Sequence, residues 1–81
     1  MHAVSEMVLP LELLRSGDCA VIEDVQGEPC WIGRMAEMGI RHGCLLQMLQ
    51  PGSPCLLSVG GCRLCLRAEE SMRIMVRPTQ D

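Results

Sequence analysis

Two adjacent glycines, Gly60 and Gly61, stand between CLLSV (55–59) and CRLCLR (62–67). A two-residue Gly-Gly connection between two aliphatic runs demands a tight hairpin. Such a turn fixes the register. Val59 faces Cys62, Ser58 faces Arg63, Leu57 faces Leu64, Leu56 faces Cys65 and Cys55 faces Leu66. Side chains alternate between faces along a strand. One face therefore carries Cys55, Leu57, Val59, Cys62, Leu64 and Leu66, and this face is assigned to the core. The other carries Leu56, Ser58, Arg63, Cys65 and Arg67 and points outward.

This register decides how Cys62-x-x-Cys65 is read. The spacing is shared by zinc knuckles and redox pairs, but three residues apart on one strand the two thiols face opposite ways. Their Cα atoms stand about 10 Å apart at ~3.3 Å per residue, beyond the ~7 Å limit for a disulfide. A zinc knuckle needs its cysteines on a tight turn so that both sulfurs converge. Here the turn glycines precede the first cysteine. Cys55 and Cys62 are read as small core hydrophobes.

The remaining elements follow from punctuation and periodicity. Residues 1–9 are expected to be a flexible N-terminus. Pro10 starts a short apolar turn with Leu11, Leu13 and Leu14, closed by Ser16-Gly17-Asp18. CAVIEDV (19–25) is β-branched and aliphatic, a strand. Pro29 suits the first turn of a helix. Trp31, Ile32, Met35 and Met38 then recur at helical spacing and predict one buried face, with Arg34 and Glu37 outward. Gly39 fits a left-handed C-terminal cap, and Ile40 is placed to fold back on the last helical turn. CLLQML (44–49) is a strand running into the turn-rich Gln50-Pro51-Gly52-Ser53-Pro54. Glu69–Met72 reads as a helical turn, and RIMV (73–76) as a last strand that Pro78 ends. A single domain is expected over residues 10–78, with 79–81 as a tail.

At 81 residues the chain supports one small domain. Such a chain buries only about 60–65% of its unfolded surface. A hydrophobic share of 48% supplies a core. Net charge is −3, all seven basic residues are arginine, and Trp31 is the single aromatic residue. Nucleic-acid binding calls for a basic face with stacking aromatics, so no nucleic acid is expected as a partner. No segment approaches the ~20 apolar residues of a membrane span, and the N-terminus lacks the basic and apolar regions of a signal peptide. The expected location is cytoplasmic, without direct membrane insertion, where thiols stay reduced. No nucleophile elbow, phosphate-binding glycine loop or metalloprotease motif is present, and the chain is not expected to be an enzyme. Met7, Met48, Met72 and Met75 and most cysteines are read as space-filling.

Several features together carry a resemblance. Pro10-Leu11-x-x-Leu14-x-x-Gly17 opens the domain. Arg34-Met35-Ala36-Glu37-Met38-Gly39-Ile40-Arg41-His42-Gly43 closes the helix. Gly52-x-Pro54, the Gly-Gly hairpin, Leu64-Cys65-Leu66-Arg67 and Glu70-Ser71-Met72-Arg73-Ile74-Met75-Val76 follow. Over roughly residues 10–77 the chain resembles the FeoA family, the small cytosolic partner of the bacterial ferrous iron transporter FeoB. It departs from the family at Cys65, where a small residue is usual, and at Ser71, where Ala is common. The resemblance implies a mainly β fold, a small SH3-like β-barrel of about five strands with one helix inserted after the first strand. It also implies a role as a non-enzymatic accessory protein of ferrous iron uptake, docking on the cytoplasmic GTPase region of the FeoB-type membrane transporter. The same fold occurs as the C-terminal domain of DtxR-type repressors, so a regulatory module of that kind is an alternative.

Two surfaces are candidates for partner binding. The first is the outward hairpin face, where Leu56 and Cys65 lie between Arg63 and Arg67, an apolar spot flanked by arginines as at interface centres. The second is the corner Met38, Gly39, Ile40 and Arg41. No cofactor is expected. The alternative of a small metal-binding protein would hold Fe2+ or Zn2+ through Cys30, Cys44, Cys65 or His42. An open strand edge in so small a barrel also leaves room for a homodimer.

Overall fold

The computed structural model describes residues 3–4 and 7–80. Seven strands are described: β1 (Ala3–Val4), β2 (Leu9–Pro10), β3 (Cys19–Val25), β4 (Leu45–Gln50), β5 (Cys55–Val59), β6 (Cys62–Leu66) and β7 (Ile74–Gln80). Helix α1 (Pro29–Glu37) follows β3, and the one-turn helix α2 (Ala68–Ser71) follows β6. All pairings are antiparallel, in the order β1-β7-β3-β4-β5-β6, with β2 also on β7. The five strands of five residues or more make the curled, SH3-like sheet, and it is not closed. The flexible N-terminus expected over 1–9 falls partly outside the described residues; within that stretch, Ala3–Val4 and Leu9–Pro10 pair with β7.

The core is built from one face of each strand. Ala20 and Ile22 of β3, Leu46 and Met48 of β4, Cys55, Leu57 and Val59 of β5, Leu66 of β6, and Ile74 and Val76 of β7 are buried. Leu11 and Leu14 close one side, and Met35 and Ile40 bring the helix onto the cluster. Each fully buried aliphatic side chain contributes about 1.5–3 kcal/mol. Sheet curvature comes from two register shifts, between Ile22 and Asp24 and between Met48 and Gln50. A bulge raises local twist and bends the strand.

Helix α1 ends as its sequence predicts. The N–H of Ile40 donates to Met35 O at 2.9 Å and that of Gly39 to Ala36 O at 3.1 Å, with Gly39 at φ +98. These two bonds form the Schellman arrangement, and Ile40 and Met35, both buried, supply its hydrophobic contact. At the other end, Gln26–Gly27 passes over Trp31, and the Arg73 guanidinium stands 5.6 Å from the indole centroid.

Several expectations need correction. Met7 and Met72, read as space-filling, are 66% and 59% exposed. Thr79 and Gln80, assigned to a tail, belong to β7. Pro78 does not end the last strand, which runs to Gln80. Among the described residues, neither Arg77 nor Pro78 has a ladder partner on the β1/β2 side, where β7 passes from one short strand to the other, so the ring is accommodated there. Cys62 is exposed rather than core: its partner Val59 on β5 is buried, but β6 is the edge strand, with no strand beyond it among the described residues. Met38 is 42% exposed, since it is the helix C-cap and the chain turns away beneath it. Ile40, placed at the candidate contact corner, is 1% exposed and belongs to the core.

Candidate functional site

The hairpin register is the one that the two-glycine turn dictates, from Val59↔Cys62 to Cys55↔Leu66. Gly60 and Gly61 both have positive φ, +58 and +83, the backbone of the tight hairpin turn. In such a hairpin the residues flanking the turn exchange hydrogen bonds, and bonded and non-bonded pairs then alternate. Leu56 and Cys65 are thus a non-bonded pair, whose side chains approach most closely. Leu56 is half-buried and Cys65 exposed, and Arg63 and Arg67 flank Cys65 along the same face. The outward rows continue into β4, where Gln47 faces Ser58 and Gln50 faces Leu56.

Arg67 has a second task. Its backbone N–H donates to Glu70 Oε1 at 3.0 Å and opens α2. That bond holds the Glu70 carboxyl below its ordinary pKa. The Arg67 guanidinium lies 3.4 Å from Glu69, an exposed pair that contributes little to stability. Ser71 is buried, and its hydroxyl donates to Ala68 O at 3.3 Å.

The two candidate surfaces meet. A groove of about 370 Å³ runs between α1 and β6, lined by Arg34, Met35, Glu37 and Met38 on one side and by Leu64, Cys65 and Leu66 on the other, with Glu70 of α2. Met38 and Cys65, separate in the sequence reading, share its walls. At the corner a Cβ built on Gly39 would stand 3.1 Å from Val59 Cγ1, which locks the corner against the hairpin. Arg41 lines a second, apolar hollow there with Gly39, Cys44, Leu45, Val59 and Gly60. Leu45, 57% exposed, is a surface residue that the strand assignment of 44–49 did not single out. Arg34, Glu37 and Glu70 were also missed as groove residues. The only local signal was that Arg34 and Glu37 lie on the outward helical face.

The alternative metal ligands are not brought together. Cys30 is exposed in the first turn of α1, Cys44 is half-buried before β4, and Cys65 is on the hairpin. His42 Nε2 lies 4.0 Å from Glu23 Oε2, which in turn belongs to a carboxylate bound by Arg77 at 2.9 Å. Among the described residues no three of His, Cys, Asp or Glu converge as a metal site. All six cysteines are free, and burial pushes the Cys55 thiol above its ordinary pKa. Among the described residues no helix is long and apolar enough to cross a membrane.

Comparison with known proteins follows the same lines. The crystal structure of an iron uptake regulatory protein (FeoA) superposes with a TM-score of 0.82 at 30% identity, covering 89% of this chain and 99% of that one. The solution structure of the FeoA protein from Chlorobium tepidum gives 0.80 at 30% identity, over 86% and 70%. Stenotrophomonas maltophilia FeoA, solved with zinc and described as a prokaryotic SH3 domain protein, gives 0.71 at 28% identity, over 84% and 88%. No curated protein sequence matches. The model of the FeoA domain matches residues 9–78, and with that match across nearly the whole described chain, the protein belongs to the FeoA family, which is associated with ferrous iron transport.

Proposed function

We propose that the protein is a non-enzymatic accessory factor of ferrous iron uptake that docks on the cytoplasmic GTPase region of a FeoB-type transporter. The supporting observation is the hairpin's outer face. Leu56 and Cys65 stand opposite one another between Arg63 and Arg67, and the same strand borders a groove that reaches Met38. An apolar centre with arginine at its margin matches the composition of interface hot spots. Arg41 extends the surface past the corner, and the buried Ile40 serves it only by fixing the backbone.

The test is binding of the purified cytoplasmic region of the transporter to wild-type protein and to the Arg63→Glu, Cys65→Asp double variant. The docking reading predicts that the variant loses binding while its thermal midpoint is unchanged. Unchanged binding would rule the face out. A metal-carrying role draws on the zinc held by the Stenotrophomonas protein. For this chain it has weaker support, because Cys30, Cys44, Cys65 and His42 lie on separate parts of the surface.

A further inference from the structure

The sheet is open, and its two margins differ. At one, β1 is two residues long. At the other, β6 is five residues long, paired with β5 in unbroken one-to-one register, without bulge or proline. Strand edges left in that state are templates for another chain unless they are short, bulged or covered. The alternation of bonded pairs says which groups β6 offers. Cys62, Leu64 and Leu66 exchange hydrogen bonds with β5, so the N–H and C=O of Arg63 and Cys65 point away from the sheet. Among the described residues no strand lies beyond them.

What lies beside that edge is the groove. On the inner side it presents Met35, Met38, Leu64 and Leu66. On the outer side the side chains flanking Cys65 are both cationic, Arg63 and Arg67. Arg67 is already engaged with Glu69, whereas among the described residues no carboxylate lies within ion-pair distance of Arg63. Glu37 and Glu70 also border the groove, and Glu70 is held by the Arg67 N–H.

We propose that the open edge of β6 is a strand-addition site for an extended segment of a partner protein in which apolar and acidic residues alternate. Because strand side chains alternate with a period of two, one set of the segment's residues enters the methionine- and leucine-lined groove. The other set stands on the outer face beside Arg63 and Arg67. The main-chain groups of Arg63 and Cys65 supply the hydrogen bonds, as in other recognition by strand addition. The proposal rests on the docking reading in that it uses the same face, and it specifies how that face is read.

The probe is a ten-residue capped peptide of alternating Glu and Val, with a Lys-Val peptide and an N-methylated Glu-Val peptide as controls. Backbone amide exchange is followed by NMR. At saturating Glu-Val peptide, exchange at Arg63 and Cys65 is expected to slow at least tenfold, while Leu64 and Leu66, already bonded to β5, change little. The Lys-Val and N-methylated peptides should bind at least tenfold more weakly. Cys65→Pro, which removes an outward N–H that β5 does not use, should weaken binding about tenfold, and Cys65→Ser should retain it. Unprotected amides at Arg63 and Cys65, or equal binding of either control peptide, overturn the proposal. Protection that rises with protein concentration in the absence of peptide also overturns it, by assigning the edge to a second copy. The two readings fail separately. If the transporter's cytoplasmic region binds while the Arg63 and Cys65 amides stay unprotected, docking stands and strand addition falls. If that region does not bind but the peptide protects both amides, the reverse holds.

Discussion

Replacing Gly39 with Ala probes the corner that joins helix to hairpin. Gly39 sits at φ +98, where an L-residue is strained, at a cost of about 1–2 kcal/mol. A Cβ there would also stand 3.1 Å from Val59 Cγ1. Val59 is β-branched, buried and paired with Leu46 of β4 and Cys62 of β6, so its methyl has little freedom to move aside. Overpacking of that kind adds about 1 kcal/mol. The sum is roughly 2–3 kcal/mol. For a domain of this size each kcal/mol shifts the midpoint by about 4–8 °C, so a fall of roughly 10–20 °C is expected. Gly43→Ala is the internal control. Its φ is +86, but nothing lies within 4 Å of the added carbon, so only the backbone part should be lost. Urea denaturation followed by the fluorescence of Trp31, the single aromatic residue, measures both, and an unchanged m-value confirms that stability alone has moved. In a Val59→Ala background the Gly39→Ala increment should shrink to the Gly43→Ala value. If Gly39→Ala costs no more than Gly43→Ala, or if Val59→Ala leaves the increment intact, the packing account of the corner is wrong.

Further predictions concern titration, thiols and metal. The Glu70 carboxyl has a lowered folded pKa, so it contributes stability above the unfolded carboxylate pKa and loses it as pH falls through the folded value. Glu70→Gln should therefore lower the thermal midpoint at pH 7, and the difference should close well below pH ~4; a gap that persists in acid would refute the cause. Cys30, Cys62 and Cys65 are exposed and should react quickly with a disulfide reagent in native buffer, while buried Cys55, its thiol pKa raised, should react only on unfolding. Rapid labelling of Cys55 would contradict its placement in the core. Equilibrium dialysis of the reduced protein against Zn2+ or Fe2+ should show no stoichiometric site of micromolar affinity; one that is lost on Cys→Ser substitution would revive the metal-binding alternative.

Much of the fold can be read from the chain because its strongest signals are local. A two-residue turn leaves one register, and that register assigned the faces of Leu56, Arg63 and Cys65 correctly. The helix end was legible for the same reason, since Gly39 and the apolar Ile40 implement a cap within six residues. The errors arise where position in the sheet overrides pattern. Cys62 has core spacing but sits on the edge strand, and Pro78 falls where a strand changes partners. Met38 completes a helical stripe yet occupies a cap. The groove was not legible at all. It depends on residues of α1 and of a strand about thirty residues away lining one hollow, and no local pattern in the sequence encodes that juxtaposition.

The central claim is that the outer hairpin face is the docking surface. NMR mapping of the labelled protein during titration with the transporter's cytoplasmic GTPase region tests it most directly. The account predicts that shifts and broadening concentrate at Leu56, Arg63, Cys65, Arg67 and Met38 and leave Glu23 and Arg77, joined at 2.9 Å between β3 and β7, unaffected. Perturbations centred on Glu23 and Arg77, with the hairpin silent, would contradict it.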